Sequence, residues 1–73
     1  MTDTPYPWYE DIVDNASATV TYYGLAEPGT ATSEAKWQIL RQTISGNVII
    51  KVFADRDRNF DNIWDNRATL NYS

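Results

Sequence analysis

Apolar and polar residues alternate in the segment ASATVTYYGLA, residues 16–26, with the two-residue period of a β-strand. The alternation places Val20 and Tyr22 on one face and Thr21 and Tyr23 on the other, and β-branched and aromatic residues of this kind favour strands. The following EPGTATS has the composition of a turn or an exposed loop. The pattern therefore predicts a strand that ends in a turn.

The next segment, EAKWQILRQTIS, fits two periods. A helical period would place Trp37, Leu40 and Ile44 on one face, whereas a strand period would group Trp37, Ile39 and Arg41. The dipeptide Gly-Asn that follows is a turn signal, and the run VIIKVFA after it is rich in β-branched residues. Because a helix cannot supply one arm of a β-hairpin, we predict a long strand, a tight turn and another strand.

The closing segment, FDNIWDNRATLNYS, changes from helical to strand periodicity. Phe60, Ile63, Trp64 and Arg67 recur with helical spacing, which predicts one short helical turn near residues 60–65, and the final ATLNYS alternates as a strand. We interpret the segment as a structural clasp, in which the turn inserts Phe60 and Trp64 into the end of a small sheet.

Residues 1–15 are interpreted as an extended N-terminal arm, because two prolines remove backbone donors and bias their neighbours towards extended conformations. The arm carries Tyr6, Trp8 and Tyr9, whose rings either fold back onto the domain or contact a partner surface. Residues 16–73 would form one small domain. We predict a mainly β fold, an antiparallel sheet rolled into a small sandwich or barrel with one short helical turn.

The size of the chain favours assembly. A domain of 73 residues buries only about 60% of the surface that its unfolded chain exposes, and the sequence has no cysteine or histidine to provide a disulfide or a metal staple. Val48, Ile49 and Ile50 are consecutive apolar residues, as in a strand covered on both faces. We expect the domain to cover one face of this strand and another subunit to cover the other, in a homo-oligomer or multi-copy assembly.

Ten acidic and six basic residues give a net charge of −4, and every charged side chain before Lys36 is acidic. This balance argues against a nucleic-acid groove. Neighbouring copies could meet head to tail, acidic part against basic part, although a solvated acidic face is the more common cause of such asymmetry. No apolar run approaches the roughly 20 residues that cross a membrane, and the N-terminus is acidic where a secretory signal is basic, so synthesis in a cytoplasm is expected.

The stretch DRDRNFDNIWDN, which begins at Asp55, has oxygen-bearing side chains at the first, third, fifth and seventh positions of an EF-hand calcium loop. Such a loop also needs glycine at its sixth position and glutamate at its twelfth, where this chain has Phe60 and Asn66. Two arginines between the acids cancel much of the negative charge. We predict no metal site and no cofactor.

A non-enzymatic function is predicted, because the sequence lacks the histidine or cysteine that usually acts as general base or nucleophile. Carboxylate pairs such as Glu10 with Asp11, or Asp61 with Asp65, would need a rigid cleft for which a chain of this size has little room.

A carbohydrate-binding module is the alternative function, because exposed aromatic rings stack on the apolar faces of sugars. The candidate rings are Trp8, Tyr22, Tyr23, Trp37 and Trp64. Aromatic residues in so small a domain more often fill the core, and this favours a core position for Trp37 and Trp64.

Four motifs follow one another between residues 22 and 73: Tyr-x-Gly, Gly-Thr-Ala-Thr, Trp-x-Ile-x-Arg, and Phe-Asp-x-x-Trp-Asp-x-Arg-Ala before a short Tyr-containing strand. Their combination resembles a family of small, mostly uncharacterised proteins of tailed bacteriophages. The family pattern falls on Tyr23, Gly24, Gly29, Thr30, Thr32, Trp37, Ile39, Arg41, Phe60, Asp61, Trp64, Asp65, Arg67, Ala68, Leu70 and Tyr72. The chain departs from the pattern at ADRDRN, where family members have a glycine-containing turn.

The resemblance implies a structural protein located in the virion, where it would decorate or cement the capsid or join tail parts. Its partners would be other virion structural proteins, contacted through Tyr6, Trp8 and Tyr9 of the arm. Arg41 or Arg67 would pair with Asp61 or Asp65 to lock the clasp. The clasp residues are then Trp37, Arg41, Phe60, Asp61, Trp64, Asp65 and Arg67.

Overall fold

The computed structural model describes residues 9–72, so Tyr6 and Trp8 of the predicted arm lie outside the described residues. The described part contains five strands and two 3-10 helices. The strands are β1 (Glu10–Asp14), β2 (Val20–Ala26), β3 (Ala35–Ser45), β4 (Val48–Phe53) and β5 (Asn62–Ile63), and the 3-10 helices are Ala54–Arg56 and Trp64–Thr69.

The first four strands form an antiparallel meander, in which each strand pairs with the next one along the chain. The two-residue β5 pairs antiparallel with the N-terminal part of β3, where Ala35 lies opposite Ile63 and Trp37 opposite Asn62. The mainly β, antiparallel fold class is confirmed. Closure into a sandwich or barrel is not confirmed, because the described strands form one open sheet.

The predicted long strand and hairpin are confirmed. β3 is a strand throughout, and Ser45 lies opposite Val48 across the two-residue turn to β4. Gly46 in this turn has a φ of 61°, a left-handed conformation that glycine adopts without steric cost.

Residues 54–72 pack against one face of the sheet. The core combines buried residues of the strands with buried residues of this covering segment: Tyr22, Ala26, Trp37, Ile39, Ala54, Trp64 and Tyr72. Ile12, Val20, Val52 and Leu70 are partly buried around it. The side chains that fill this core alternate along β2 and β3, as expected for the covered face of a sheet.

Gly24 allows the covering segment to approach the sheet closely. A Cβ at this position would lie 2.6 Å from Cε3 of Trp64 and 2.7 Å from Cγ2 of Ile12, closer than real Cβ contacts. The indole of Trp64 therefore packs directly on the backbone of β2.

The opposite face of the sheet is only partly covered by described residues. The register aligns Val13, Tyr23, Leu40 and Phe53 in one row across the four meander strands. Val13 is exposed and the other three are half-buried. This face therefore presents an apolar row to its surroundings.

The N-terminal and C-terminal boundaries differ from the sequence predictions. The sheet begins at Glu10, inside the segment 1–15 that was predicted to be an arm. The helical turn predicted near residues 60–65 lies at Trp64–Thr69 instead, and residues 62 and 63 form β5.

The predicted strand at ATLNYS is wrong, because the second 3-10 helix continues to Thr69 and no strand follows it among residues 70–72. The Tyr72 hydroxyl donates to the Arg67 carbonyl oxygen at 2.7 Å, which turns the segment back on itself.

The residues Val48, Ile49 and Ile50, predicted to be covered on both faces, are all exposed. The described part of this chain therefore does not cover them. Within residues 9–72, no helix has the length and apolar character needed to cross a membrane.

Candidate functional site

Tyr9 and Phe60 form an exposed aromatic pair at one end of the sheet. Their rings are stacked, with centroids 5.8 Å apart and an interplanar angle of 24°. They border two adjoining hollows of about 440 and 340 Å³. We call this region the aromatic groove and define it by its lining residues. Tyr9 and Phe60 border both hollows; the first is also lined by Glu27, Thr30 and Lys36, and the second by Asp11, Leu25 and Gln38.

Phe60 is held in the groove by the loop that precedes β5. The Gln38 side-chain amide donates to the Arg58 carbonyl oxygen at 2.9 Å, which ties this loop to β3. The Asn59 amide donates to Oδ1 of Asp57 at 3.0 Å, a local turn contact that shapes the loop. These contacts place Phe60 beside Tyr9 and outside the core.

The polar side of the groove comes from the β2–β3 loop. The Thr30 amide and hydroxyl both donate to the Glu27 carbonyl oxygen, at 3.2 and 2.7 Å, and form a tight turn. The Gly29 amide donates to Oε1 of Glu10 at 3.3 Å, which links this turn to β1. Lys36 lies at the start of β3, 4.0 Å from Glu34. The first hollow is thus bordered by the acidic Glu27, the hydroxyl of Thr30 and the basic Lys36.

The chemistry of the groove suits an amphipathic group. Tyr9 and Phe60 are 43 and 40% exposed, so their rings remain available for stacking. Glu27, Thr30 and Lys36 can bond the polar periphery of an aromatic side chain or of a sugar ring.

The predicted structural clasp is wrong at Phe60, because this side chain is exposed and does not insert into the end of the sheet. Trp37 and Trp64 are buried, with ring centroids 6.0 Å apart at 42°. Tyr22 is also buried and tilts against Tyr72 at 6.1 Å. These three candidate rings are unavailable to a sugar.

The predicted arginine–aspartate pairs are also corrected. Arg67 Nε donates to Oδ2 of Asp14 at 2.9 Å, and a second nitrogen donates to the Trp64 carbonyl oxygen at 3.1 Å. The exposed Asp61 and Asp65 form neither of the predicted pairs. The acidic partner of Arg67 comes from β1, which the sequence interpretation assigned to the arm.

Arg41, another predicted clasp residue, stacks on an aromatic ring. Its guanidinium carbon lies 4.7 Å from the centroid of Tyr72, and Arg67 lies equally close to the ring of Trp64. Arg41 Nε is buried and has no hydrogen-bond partner among the described residues. Burial, reinforced by the neighbouring Tyr22, raises the pKa of Tyr72 to about 12.

No group of three or more acidic, cysteine or histidine side chains within residues 9–72 could hold a metal ion. In the stretch that begins at Asp55 and was compared with a calcium loop, Oδ1 of Asp57 accepts a hydrogen bond from the Asn59 amide. The described residues thus provide no ligand cluster for a metal.

The sequence interpretation missed most of the groove. Leu25 and Gln38 are paired across β2 and β3 and therefore lie side by side on one face. Their register was implicit in the two predicted strands, but their proximity to Tyr9 depends on β1, which was not predicted. No local motif marks Glu27, Thr30 or Lys36 as neighbours of an aromatic pair.

Comparisons with models of protein families, with curated proteins and with solved structures find no match for this chain.

Proposed function

We propose that this chain is a non-enzymatic structural subunit of a tailed-bacteriophage virion, which decorates or cements the capsid or joins tail components. The motifs between residues 22 and 73 support the virion assignment through the resemblance described above. Other virion structural proteins are its partners. The small sheet supplies a stable base from which exposed side chains contact them.

The observation that carries the proposal is the exposed aromatic pair of the groove. The tryptophans of the described residues and Tyr22 are used in the core, whereas Tyr9 and Phe60 stack on each other in contact with solvent. Tyr and Phe are enriched where protein surfaces bind partners. Tyr9 directly follows, in the sequence, the segment that carries Tyr6 and Trp8.

Quantitative mass spectrometry of intact particles tests the proposal. We expect a fixed number of copies per virion: hundreds for a capsid decoration protein, and a few to a few dozen for a tail component. A particle preparation without the chain would overturn the virion assignment.

Variants locate the contact region. Deleting residues 1–8 keeps every described strand, whereas deleting residues 1–15 would also remove β1 and the Asp14 partner of Arg67. We expect the shorter deletion and Phe60→Ala each to reduce incorporation while the domain still folds by circular dichroism. Val13→Ala, at an exposed position outside the groove, is the control and should incorporate normally.

A carbohydrate-binding function on a tail or fibre is the second candidate, because the aromatic pair lies beside Glu27 and Thr30. Titration of the chain with oligosaccharides, followed by nuclear magnetic resonance, tests it. Binding that is lost in Phe60→Ala while incorporation persists would favour this function over the assembly role of the groove.

A further inference from the structure

The outer edge of β4 carries three consecutive exposed apolar residues. Val48, Ile49 and Ile50 are 57, 58 and 50% exposed, and among the described strands β4 pairs only with β3. An edge strand of this kind presents unpaired backbone groups to another strand. We propose that β4 pairs antiparallel with β4 of a second copy of the chain, about a two-fold axis at Ile50. The inference rests on the proposed assembly function and names one of its contacts.

The hydrogen bonds of the sheet determine which β4 residues face the second copy. The Ile44 amide donates to the Thr19 carbonyl oxygen, on the β2 side of β3, at 2.9 Å. Backbone groups of successive residues in a strand point to opposite edges, so those of Thr43 point towards β4. Thr43 lies opposite Ile50. The backbone groups of Ile50 are therefore used inside the sheet.

Ile49 and Lys51, the neighbours of Ile50, direct their backbone groups to the free edge. In an antiparallel pair, two directly opposite residues either exchange both hydrogen bonds or exchange none. An outward residue of one copy must therefore face an outward residue of the other. This condition is met when one residue of β4 lies directly opposite the same residue of the second copy, with the two-fold axis between them. The axis is perpendicular to the sheet, so the covered faces of both copies lie on the same side.

The charge of Lys51 favours one of the registers that meet this condition. An axis at Lys51 would place two ammonium groups directly opposite each other, and like charges in that position destabilise a strand pair. An axis at Ile50 places Lys51 opposite Ile49 of the second copy. Val48 then lies opposite Val52 of the second copy on each side of the Ile50 pair, in one apolar row. An axis nearer either end of β4 would shorten the pairing.

The charge distribution also favours β4 over the other edge of the sheet. β1 carries Glu10, Asp11 and Asp14, so pairing through β1 would bring carboxylates of two copies together. β4 has Lys51 as its only charged residue. In the proposed dimer, seven strand spacings place the two β1 strands about 33 Å apart, beyond the Debye length of about 8 Å at physiological ionic strength. Repulsion between the acidic edges is therefore largely screened in the proposed dimer.

Sedimentation velocity of the full chain, from about 10 µM to 1 mM, tests the pairing. The contact is short, so we expect a weak dimer whose share increases with concentration across this range. No species larger than the dimer should form, because a two-fold contact closes on itself. A chain that stays monomeric at 1 mM would overturn the inference.

Matched lysine substitutions locate the contact. Ile50→Lys places two like charges on the axis and should weaken the dimer at least about tenfold. Val13→Lys makes the same charge change at a residue of β1 that is 54% exposed, and should leave the dimer unchanged. Open-ended association that Val13→Lys abolishes would instead indicate β1-to-β4 pairing and would exclude the proposed dimer.

Substitutions at Ile49 test the register of the β4 pair. They test the proposed dimer even if Ile50→Lys does not fold. Ile49→Glu would face Lys51 of the second copy at two symmetric places and should tighten the dimer about three-fold, whereas Ile49→Lys should weaken it by a similar factor. Equal effects of the two variants would contradict an axis at Ile50. Thermal melts by circular dichroism verify that each variant folds as a monomer.

The two proposals fail in different experiments. Absence from virions together with a solution dimer removes the virion function and leaves the β4 pairing. Presence in virions without a solution dimer removes the β4 pairing and leaves the virion function.

Discussion

Asp55 and Arg56 adopt left-handed backbone conformations, with φ of 57° and 59°. A residue with a Cβ in this region is disfavoured by about 1 to 2 kcal/mol relative to right-handed conformations. The loop that contains them, ADRDRN, has no glycine. Its backbone therefore adopts a geometry that favours glycine at two positions where side chains are present.

Arg56→Gly should therefore stabilise the protein by about 0.5 to 1 kcal/mol, because relief of the left-handed conformation exceeds the entropic cost of glycine. Urea denaturation measures the free energy of unfolding. Arg58→Gly is the matched control: it removes the same charge from an exposed residue of the same loop, whose φ is not positive. The control should be destabilised by about 0.5 to 1 kcal/mol, and equal effects of both variants would show that charge rather than backbone geometry is responsible.

Tyr72 makes stability depend on pH in the alkaline range. Its pKa is about 12 in the folded protein and about 10 in an unfolded chain, so the folded state holds its proton more tightly. This contribution is fully present below pH 10 and is lost as the pH rises to 12. We expect roughly 2 kcal/mol of the free energy of unfolding to disappear over this range. Urea denaturation at pH 8 to 12 should show a smaller loss in Tyr72→Phe, and parallel curves would contradict this assignment.

Residue type alone predicted correctly whether some aromatic side chains lie in the core and failed for another. The bulk and apolar character of Trp37 and Trp64 indicated a core position, and both are buried. Phe60 has the same character but lies outside the core, because the contact between Gln38 and the Arg58 carbonyl sets the path of its loop. That contact joins residues twenty positions apart and leaves no local pattern in the sequence.

At the scale of elements, Arg67 joins the second 3-10 helix to β1. It pairs with Asp14 on β1 and donates to the Trp64 carbonyl oxygen within its own helix. The side chains of the pair are 27 and 33% exposed, so both are half-buried, and the guanidinium also stacks on the Trp64 ring. A charge pair that is partly shielded and geometrically fixed stabilises more than an exposed one.

Arg67→Ala should lower the free energy of unfolding by about 1 to 3 kcal/mol, because it removes the ion pair, the carbonyl contact and the stacking together. Lys36→Ala is the control and should cost less than about 0.5 kcal/mol, since Lys36 is exposed and 4.0 Å from Glu34. Urea denaturation compares the two. Equal losses would mean that Arg67 does not link the helix to β1.

An element was predictable from the sequence when neighbouring residues determine its conformation, and unpredictable when contacts with distant residues do. The β3–β4 hairpin was predictable because Gly46 and Asn47 define its turn and β-branched residues define its second strand. β1 was hidden, since EDIVD is mostly acidic and gains its strand conformation by pairing with β2. The ATLNYS segment alternates like a strand, but the hydrogen bond from Tyr72 to Arg67 and the packing of Tyr72 in the core override that pattern.

At the scale of the whole molecule, the isoelectric point near 4.4 is the pH at which we expect non-specific aggregation to be greatest. The net charge of −4 at pH 7 opposes non-specific aggregation, and this repulsion decreases as the pH falls towards 4.4. Light scattering should therefore be low at pH 7 and highest near pH 4.4. Ile49→Thr, which reduces apolar exposure without changing the charge, should scatter less at pH 4.4 than the unmodified chain. Scattering that does not change with pH would contradict this expectation.

The order of the elements along the chain has a consequence for biosynthesis. The four meander strands precede residues 54–72, which supply Trp64 and Tyr72 to cover their apolar face. As the chain leaves the ribosome, each hairpin can form from neighbouring strands, but Trp37 and Ile39 stay open to solvent until the covering segment follows. We therefore expect the nascent sheet to be vulnerable to aggregation during this interval, until the covering segment docks on it.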